Sequence, residues 1–373
     1  MTASVSRRTA IGFLAASALL PTGIAQSRTV RANTDRLYLN AYGSKSGFGV
    51  AGFDAAGHIR YSLALPGRGH SFARNRDVAV AFSRRPGDYA VVFETWTGKE
   101  RQRIAAAEDR SFCGHGAFAA DGRLLFATEA VGSTGEGVLG IYAATDGYRR
   151  IGEYPTHGLD PHEIRLMPDG RTLAVANGGI LMLADMPRLK LNIPDMDPSL
   201  VYLDAATGRL IRQVRPDHEL RQLSIRHIAI DWHGRVAIAM QYEGPETDEV
   251  PLVAWHGGPE DRSGLRFLPM PPEQRVGLRQ YCGSAAMDDG GRFLAVTSPR
   301  GNRMLLWDMA EQRYLSAAAM PDVCGVATLA DGAGFVVSNG LGRIAAWPIG
   351  GAVTELCSMA GQQWDNHTLA IAA

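Results

Sequence analysis

Apolar and polar positions alternate with a period of two over short stretches of this chain, and turns of Gly, Asp and Asn separate the stretches. Long helical periodicity is almost absent. One unit recurs at roughly fifty-residue spacing. It reads GHGAFAADGRLLFAT around His115, RHIAIDWHGRVAIAM around His227 and GSAAMDDGGRFLAV around Ser284. Each unit is an apolar strand, an Asp-Gly, His-Gly or Gly-Gly turn, and a second strand.

A second landmark supports the period. Strands end in an aromatic or aliphatic residue, often followed by an acid, at Phe53-Asp54, Phe93-Glu94, Ile141-Tyr142, Leu203-Asp204, Trp255-His256, Trp307-Asp308 and Trp347-Pro348. Seven landmarks in an all-β pattern predict a seven-bladed β-propeller of four-stranded antiparallel blades. The first blade lacks its inner strand, and WDNHTLAIAA at the C-terminus supplies one. The ring is therefore expected to be closed by the C-terminal strand, which removes an open sheet edge.

In a radial repeat the same position of every unit faces the same axis. His70, His115, Glu163 with the adjacent His162, His227, Ser284, Gly325 and His367 share that position. His and Glu are ligands for zinc, iron, manganese or copper, so His70, His115, His162, Glu163, His227 and His367 are candidate metal ligands. For any one of them the plainer reading is a buried histidine hydrogen-bonded to the next blade. Ser284 and Gly325 leave the ring lopsided.

The segments joining the second and third strands of each blade differ from one another, whereas the other turns are short and repetitive. Variety on one face of a rigid scaffold marks a binding face, and the histidines begin inner strands on that face. The largest of these segments runs from Asn177 to Ser199 in the fourth blade and carries Arg188 and Lys190. It is long enough to fold over the channel mouth as a lid or docking arm. Arg84, Arg85, Arg300 and Arg303 are candidate donors to a carboxylate or phosphate, and Arg84, Arg85, Asn177, Lys190 and Arg300 form the candidate ligand-binding set. Solvated loop arginines or inter-blade ion pairs are the plainer reading of each cation.

Charge excludes some partners. Lys+Arg and Asp+Glu both number 38, so neither nucleic acid nor an anionic membrane is implied. Ser6-Arg7-Arg8, an apolar run from Ala10 to Leu20, Pro21 and small residues to Ala25 resemble a twin-arginine export signal. Residues 1–25 are therefore expected to be removed, leaving 26–373 as one propeller domain in the periplasm, with no membrane span. Losing Arg7 and Arg8 from the balanced total leaves a net charge of −2.

Four cysteines in an oxidising compartment permit disulfides. Cys113, Cys282 and Cys324 each lie just before the repeat's shared position. Cys282 and Cys324 are the expected pair if any bond forms, and burial as small packing residues is the alternative. Haem-attachment and zinc-ribbon motifs are absent, as are the nucleophile elbow, the phosphate loop and the HExxH helix.

The segments RGHSF, FSRRPG, GHGxFxxDGRLL, DPHEIRLMPDGRTLAVANGGI, RxKLNxxxMDPSLVYLD, SIRHIA and DVCGVA together resemble the exported proteins catalogued as domain of unknown function fifteen-thirteen. The resemblance covers nearly the whole chain after the leader. It implies a seven-bladed propeller, and a setting beside imelysin-type and di-haem periplasmic proteins in iron or other metal acquisition. It carries over no catalytic residues.

Two functions follow as expectations. The first is a non-enzymatic periplasmic propeller that binds a metal ion (iron, copper or zinc), a metal chelate or a protein partner at the His-bearing channel face. The alternative is a metal-dependent propeller enzyme, a lactonase-like hydrolase or an oxidoreductase. Propellers of the lactonase kind usually hold calcium with Asp, Glu and Asn oxygens, which favours the first.

Overall fold

The computed structural model describes residues 36–187 and 189–372. The expected leader at 1–25 and Arg188 lie outside the described residues. The strands form seven four-stranded sheets, and pairing within them is antiparallel. Six sheets use four consecutive strands, beginning with blade 2: Gly69–Asn75, Val78–Ser83, Tyr89–Glu94 and Glu100–Ala105. Blade 1 instead joins the C-terminal Gln363–Ile371, as its inner strand, to Leu37–Ser44, Gly47–Asp54 and Ile59–Leu65. The register runs from Leu37 opposite Ile371 to Gly43 opposite Gln363. The ring closes as the sequence predicts.

Each blade is apolar on both faces because a neighbour covers each face. The core consequently lies between blades rather than at one centre. Leu39, Ala41 and Val50 of blade 1 pack with Phe72, Ala79, Val91 and Phe93 of blade 2. At the closure, Tyr38, Phe53 and Trp364 of blade 1 meet Cys324, Val336 and Ile344 of blade 7. The landmark residues Phe53, Phe93, Tyr142, Leu203 and Trp307 are buried, and truncating one such aromatic costs about 3–5 kcal/mol.

The turn between inner and second strands has a repeated cause. Gly122 and Gly170 adopt φ of +71° and +66°, a region that glycine enters without strain. The preceding Asp121 and Asp169 accept the backbone N–H two residues on, at 2.9 and 2.8 Å. The segments between second and third strands all emerge at the opposite end of the ring. In blade 4 that segment, 178–198, contains among its described residues only a short 3-10 turn, Ile193–Asp195. Among the described residues no helix is long and apolar enough to cross a membrane.

Candidate functional site

The repeat's shared position is where the inner strands stop being regular. Register shifts fall between Gly69 and Phe72, Phe112 and Gly116, Pro161 and Glu163, Ile225 and His227, and Val323 and Val326. The closing strand has one too, between the partners of Asn40 and Tyr42. An extra residue breaks the alternation of a strand and re-aims side chains. Adjacent residues can then face the same way. His162 and Glu163 both approach His227, and Arg226 approaches His162. Gly325 has no side chain because the closing strand leaves no room: a Cβ there would strike Thr368, Ser338 and Asn40.

Five imidazoles meet in the channel. Ring centroids lie 4.9 Å apart for His70–His115, 4.7 Å for His70–His367, 4.6 Å for His115–His367, 4.9 Å for His162–His227 and 4.7 Å for His227–His367. All five are buried. His70, His162 and His227 border a cavity of about 80 Å³ toward the loop face. His367 borders one of about 340 Å³ toward the other end, lined by inner strands. The histidine layer thus closes the channel between them.

Hydrogen bonds fix several rings. His70 donates from Nδ1 to Asp365 Oδ1 at 2.7 Å. His227 donates from Nδ1 to Glu163 Oε2 at 3.3 Å, and the Ile228 N–H reaches the same oxygen at 3.1 Å. Arg165 donates to Glu163 Oε1 at 2.8 Å. Arg226 donates to His162 Nδ1 at 3.4 Å. His115 and His367 face each other Nε2 to Nε2 at 3.0 Å, so one donates and the other accepts. His115 Nδ1 is buried with no partner.

Electrostatics favour neutral rings. Burial pushes His115, His162 and His367 well below the usual imidazole range, and neighbouring rings or arginines add to the effect. Burial also lowers His227, against the opposing pull of Glu163. For Glu163 burial acts upward, but Arg165 and His227 outweigh it and hold the carboxyl at about 2. Asp365 is held low, because His70 and Arg68 outweigh its burial. His115, His162, His227 and His367 are thus held toward the neutral form, with the ionised carboxylates of Glu163 and Asp365 behind the cluster.

Two sets of three side chains bring ligand atoms within 4.8 Å of one another: His70, His115 and His367, and His115, Glu163 and His227. Imidazole nitrogens at a bond length of about 2.0–2.1 Å suit zinc, copper or iron. The residues fit such an ion: ligand atoms lie close together, His115 has an orphaned nitrogen, and Asp365 and Glu163 orient His70 and His227 from behind. Glu163 is already engaged at both oxygens, so the three histidines are the better set of ligands.

The other candidates disperse. Arg84, Arg85 and Lys190 border a cavity of about 590 Å³ beneath the blade 4 insertion. Arg300 borders a separate cavity of about 640 Å³ and lies over the Tyr281 ring, 4.9 Å from its centroid. Asn177 is fully buried, and its Nδ2 donates to Thr156 O at 2.9 Å and to Ser199 Oγ at 3.2 Å. It ties blade 4 to the outer strand of blade 3 and borders neither cavity. All four cysteines are free, so Cys282 and Cys324, the pair named in case a bond formed, are unbonded and the packing alternative holds. Burial raises the Cys113 and Cys282 thiols to about 12, which makes them packing residues rather than thiolate ligands.

Sequence reasoning missed Asp160, Arg226 and Asp365. A chain of ion pairs runs Lys190–Glu243–Arg226–Asp160–Arg85, with Arg226 to Asp160 at 2.9 Å and to Glu243 at 3.2 Å. Asp365 also binds Arg68 at 2.7 Å. A positional signal was present: Arg68, Asp160 and Asp365 each stand two residues before a channel histidine.

No curated protein matches the chain. Among solved structures, a chain of Kuenenia stuttgartiensis hydrazine synthase is similar over 84% of this chain and 90% of its own, with a TM-score of 0.59 and 14% identity. Likeness at that identity concerns the fold alone. The family model described as protein of unknown function (DUF1513) matches residues 63–371, and the chain, whose seven-bladed propeller agrees with that match, belongs to this family.

Proposed function

We propose that this protein is a periplasmic propeller that binds a transition metal ion inside its channel, in the service of metal acquisition. The observation that carries the reading is the convergence of His70, His115 and His367, buried and with ligand atoms within 4.8 Å of one another. His227 and His162 stand next to them as further donors. The donor set is nitrogen-rich, which suits iron, copper or zinc better than calcium or magnesium. When bound, the ion would supply a Lewis acid centre or a cargo site. The chain's own residues orient the rings and bury them away from bulk water.

The periplasmic setting rests on the twin-arginine pattern at Arg7-Arg8 and on the family resemblance. Docking to imelysin-type or di-haem proteins belongs to the same reading. Elemental analysis of protein purified from the periplasm tests it, alongside the His115→Ala/His227→Ala double variant. About one equivalent of iron, copper or zinc that disappears in the variant supports the site. No metal in either sample, even after all three ions are offered, sinks it.

Metal-dependent catalysis is the second reading, favoured by the cavity of about 590 Å³ that shares Arg84 and Arg85 with the histidine cavity. Turnover of lactones or phosphoesters by metal-loaded protein, lost in the same variant, would establish it.

A further inference from the structure

The blade 4 insertion is a fastened roof. Its start is held by Gly178 N to Asp160 O at 2.8 Å and by Ser224 Oγ to Gly178 O at 2.8 Å. Asn192 bridges its two arms, accepting from Leu181 N at 2.6 Å and donating to Gly179 O at 2.9 Å. Its far side reaches blade 3, where Ala184 N donates to Gly132 O at 3.0 Å. Beneath it lies the cavity of about 590 Å³, a volume typical of small-molecule sites.

That cavity has two unlike ends. Val131, Ile180, Met182 and Leu183 give it an apolar wall, and Arg84 and Arg85 stand at the end shared with the histidine cavity. The charges there do not balance. Asp160 is shared by Arg85 and Arg226, and Glu243 by Arg226 and Lys190. Three cations therefore face two carboxylates, while His162, beside Arg226, is kept neutral. Arg84 adds a further cation, with no ion pair among the described residues. Burial, with the like charge of Arg226, pushes Arg85 down to about 9, as expected of a guanidinium short of countercharge. The nearby Asp365 is taken by His70 and Arg68. On the other wall, Arg110 is paired with Glu153 at 2.9 Å and Asp109 accepts from Ser133 at 2.6 and 2.8 Å.

We propose that the cavity under the insertion binds a small amphipathic carboxylic acid, its carboxylate on Arg84 and Arg85 and its hydrocarbon body against Ile180, Met182 and Leu183. An arginine fork recognises a planar carboxylate at two points. The apolar wall selects against a bare inorganic anion. A ligand placed this way lies against the wall of the histidine cavity, so it stands next to any ion bound there. The site stands on its own lining, whether or not the histidines hold metal.

Calorimetric titration of the purified protein with sodium octanoate, 1-octanol and inorganic phosphate tests this. Octanoate should bind saturably, octanol about tenfold more weakly, and phosphate not at all. Arg84→Ala should weaken octanoate about tenfold and leave octanol and metal content unchanged. Met182→Asp, on the opposite wall, should weaken acid and alcohol alike with the unfolding midpoint preserved. Equal binding of acid and alcohol, unchanged octanoate affinity in Arg84→Ala, phosphate binding alone, or no saturable binding would overturn the proposal.

Discussion

His115 Nε2 and His367 Nε2 face each other at 3.0 Å although 252 residues separate them in the chain. The contact exists because the last strand returns to complete the first blade. Ring closure and the candidate metal site are therefore one structural event, and changes to either should be felt in the other.

Deleting residues from 363 onward removes the inner strand of blade 1, with Trp364, Asp365 and His367. It also exposes the Tyr38–Phe53 cluster. Loss of a cooperative thermal transition by circular dichroism is expected. Retention of a sharp transition would show that the ring does not depend on closure.

Acid should destabilise the fold in two phases. His115, His162, His227 and His367 have folded values below 6.5, so the unfolded chain binds more protons. Stability is then fully present above about pH 6.5 and falls as the pH drops below it, by up to about 1.4 kcal/mol per pH unit for each ring. Glu163 and Asp365 have lowered values, so their contribution persists above about pH 4.5 and is lost below it. Urea unfolding from pH 8 to pH 4 measures the first phase. A flat profile between about pH 6.5 and 5 would show that the rings are charged in the folded state.

Asp160→Ala leaves Arg226, 4% exposed, and Arg85 without their shared carboxylate. A loss of about 3–5 kcal/mol in urea unfolding is expected. A change under about 1 kcal/mol would mean that the ion-pair chain is solvated.

Asp365→Asn keeps the size of the side chain but removes the charge facing His70 and Arg68. Metal affinity should fall about 10- to 100-fold with the fold intact. Calorimetric zinc titration reads the difference, and unchanged affinity would show that His70 does not bind the ion.

Gly114→Ala places a Cβ 2.6 Å from His70 Cδ2 at a φ of +102°. Strain of about 1–3 kcal/mol is expected in thermal or urea unfolding, along with weaker metal binding as the ring is displaced. Wild-type stability would show that His70 has room to move.

The blades, their number and the closing strand were legible because Phe53-Asp54 through Trp347-Pro348 mark the same strand end seven times. The meeting of His70, His115, Glu163, His227 and His367 followed from repeat equivalence alone. What periodicity could not reveal were the bulges, which bring the adjacent pairs His162–Glu163 and Arg226–His227 onto one side. The partners Asp365, Asp160 and Arg226 were hidden for the same reason, since register, not composition, decides which charges meet. Asn177 looked like a loop residue by position, yet it is spent on Ser199 of its own blade and on Thr156 of blade 3.

The most direct measurement is anomalous scattering from a crystal of the protein loaded with zinc. The expected result is one strong peak bonded to His70, His115 and His367 nitrogens at about 2.0–2.1 Å. A peak elsewhere, or none at the histidine layer after loading, would contradict a metal site in the channel.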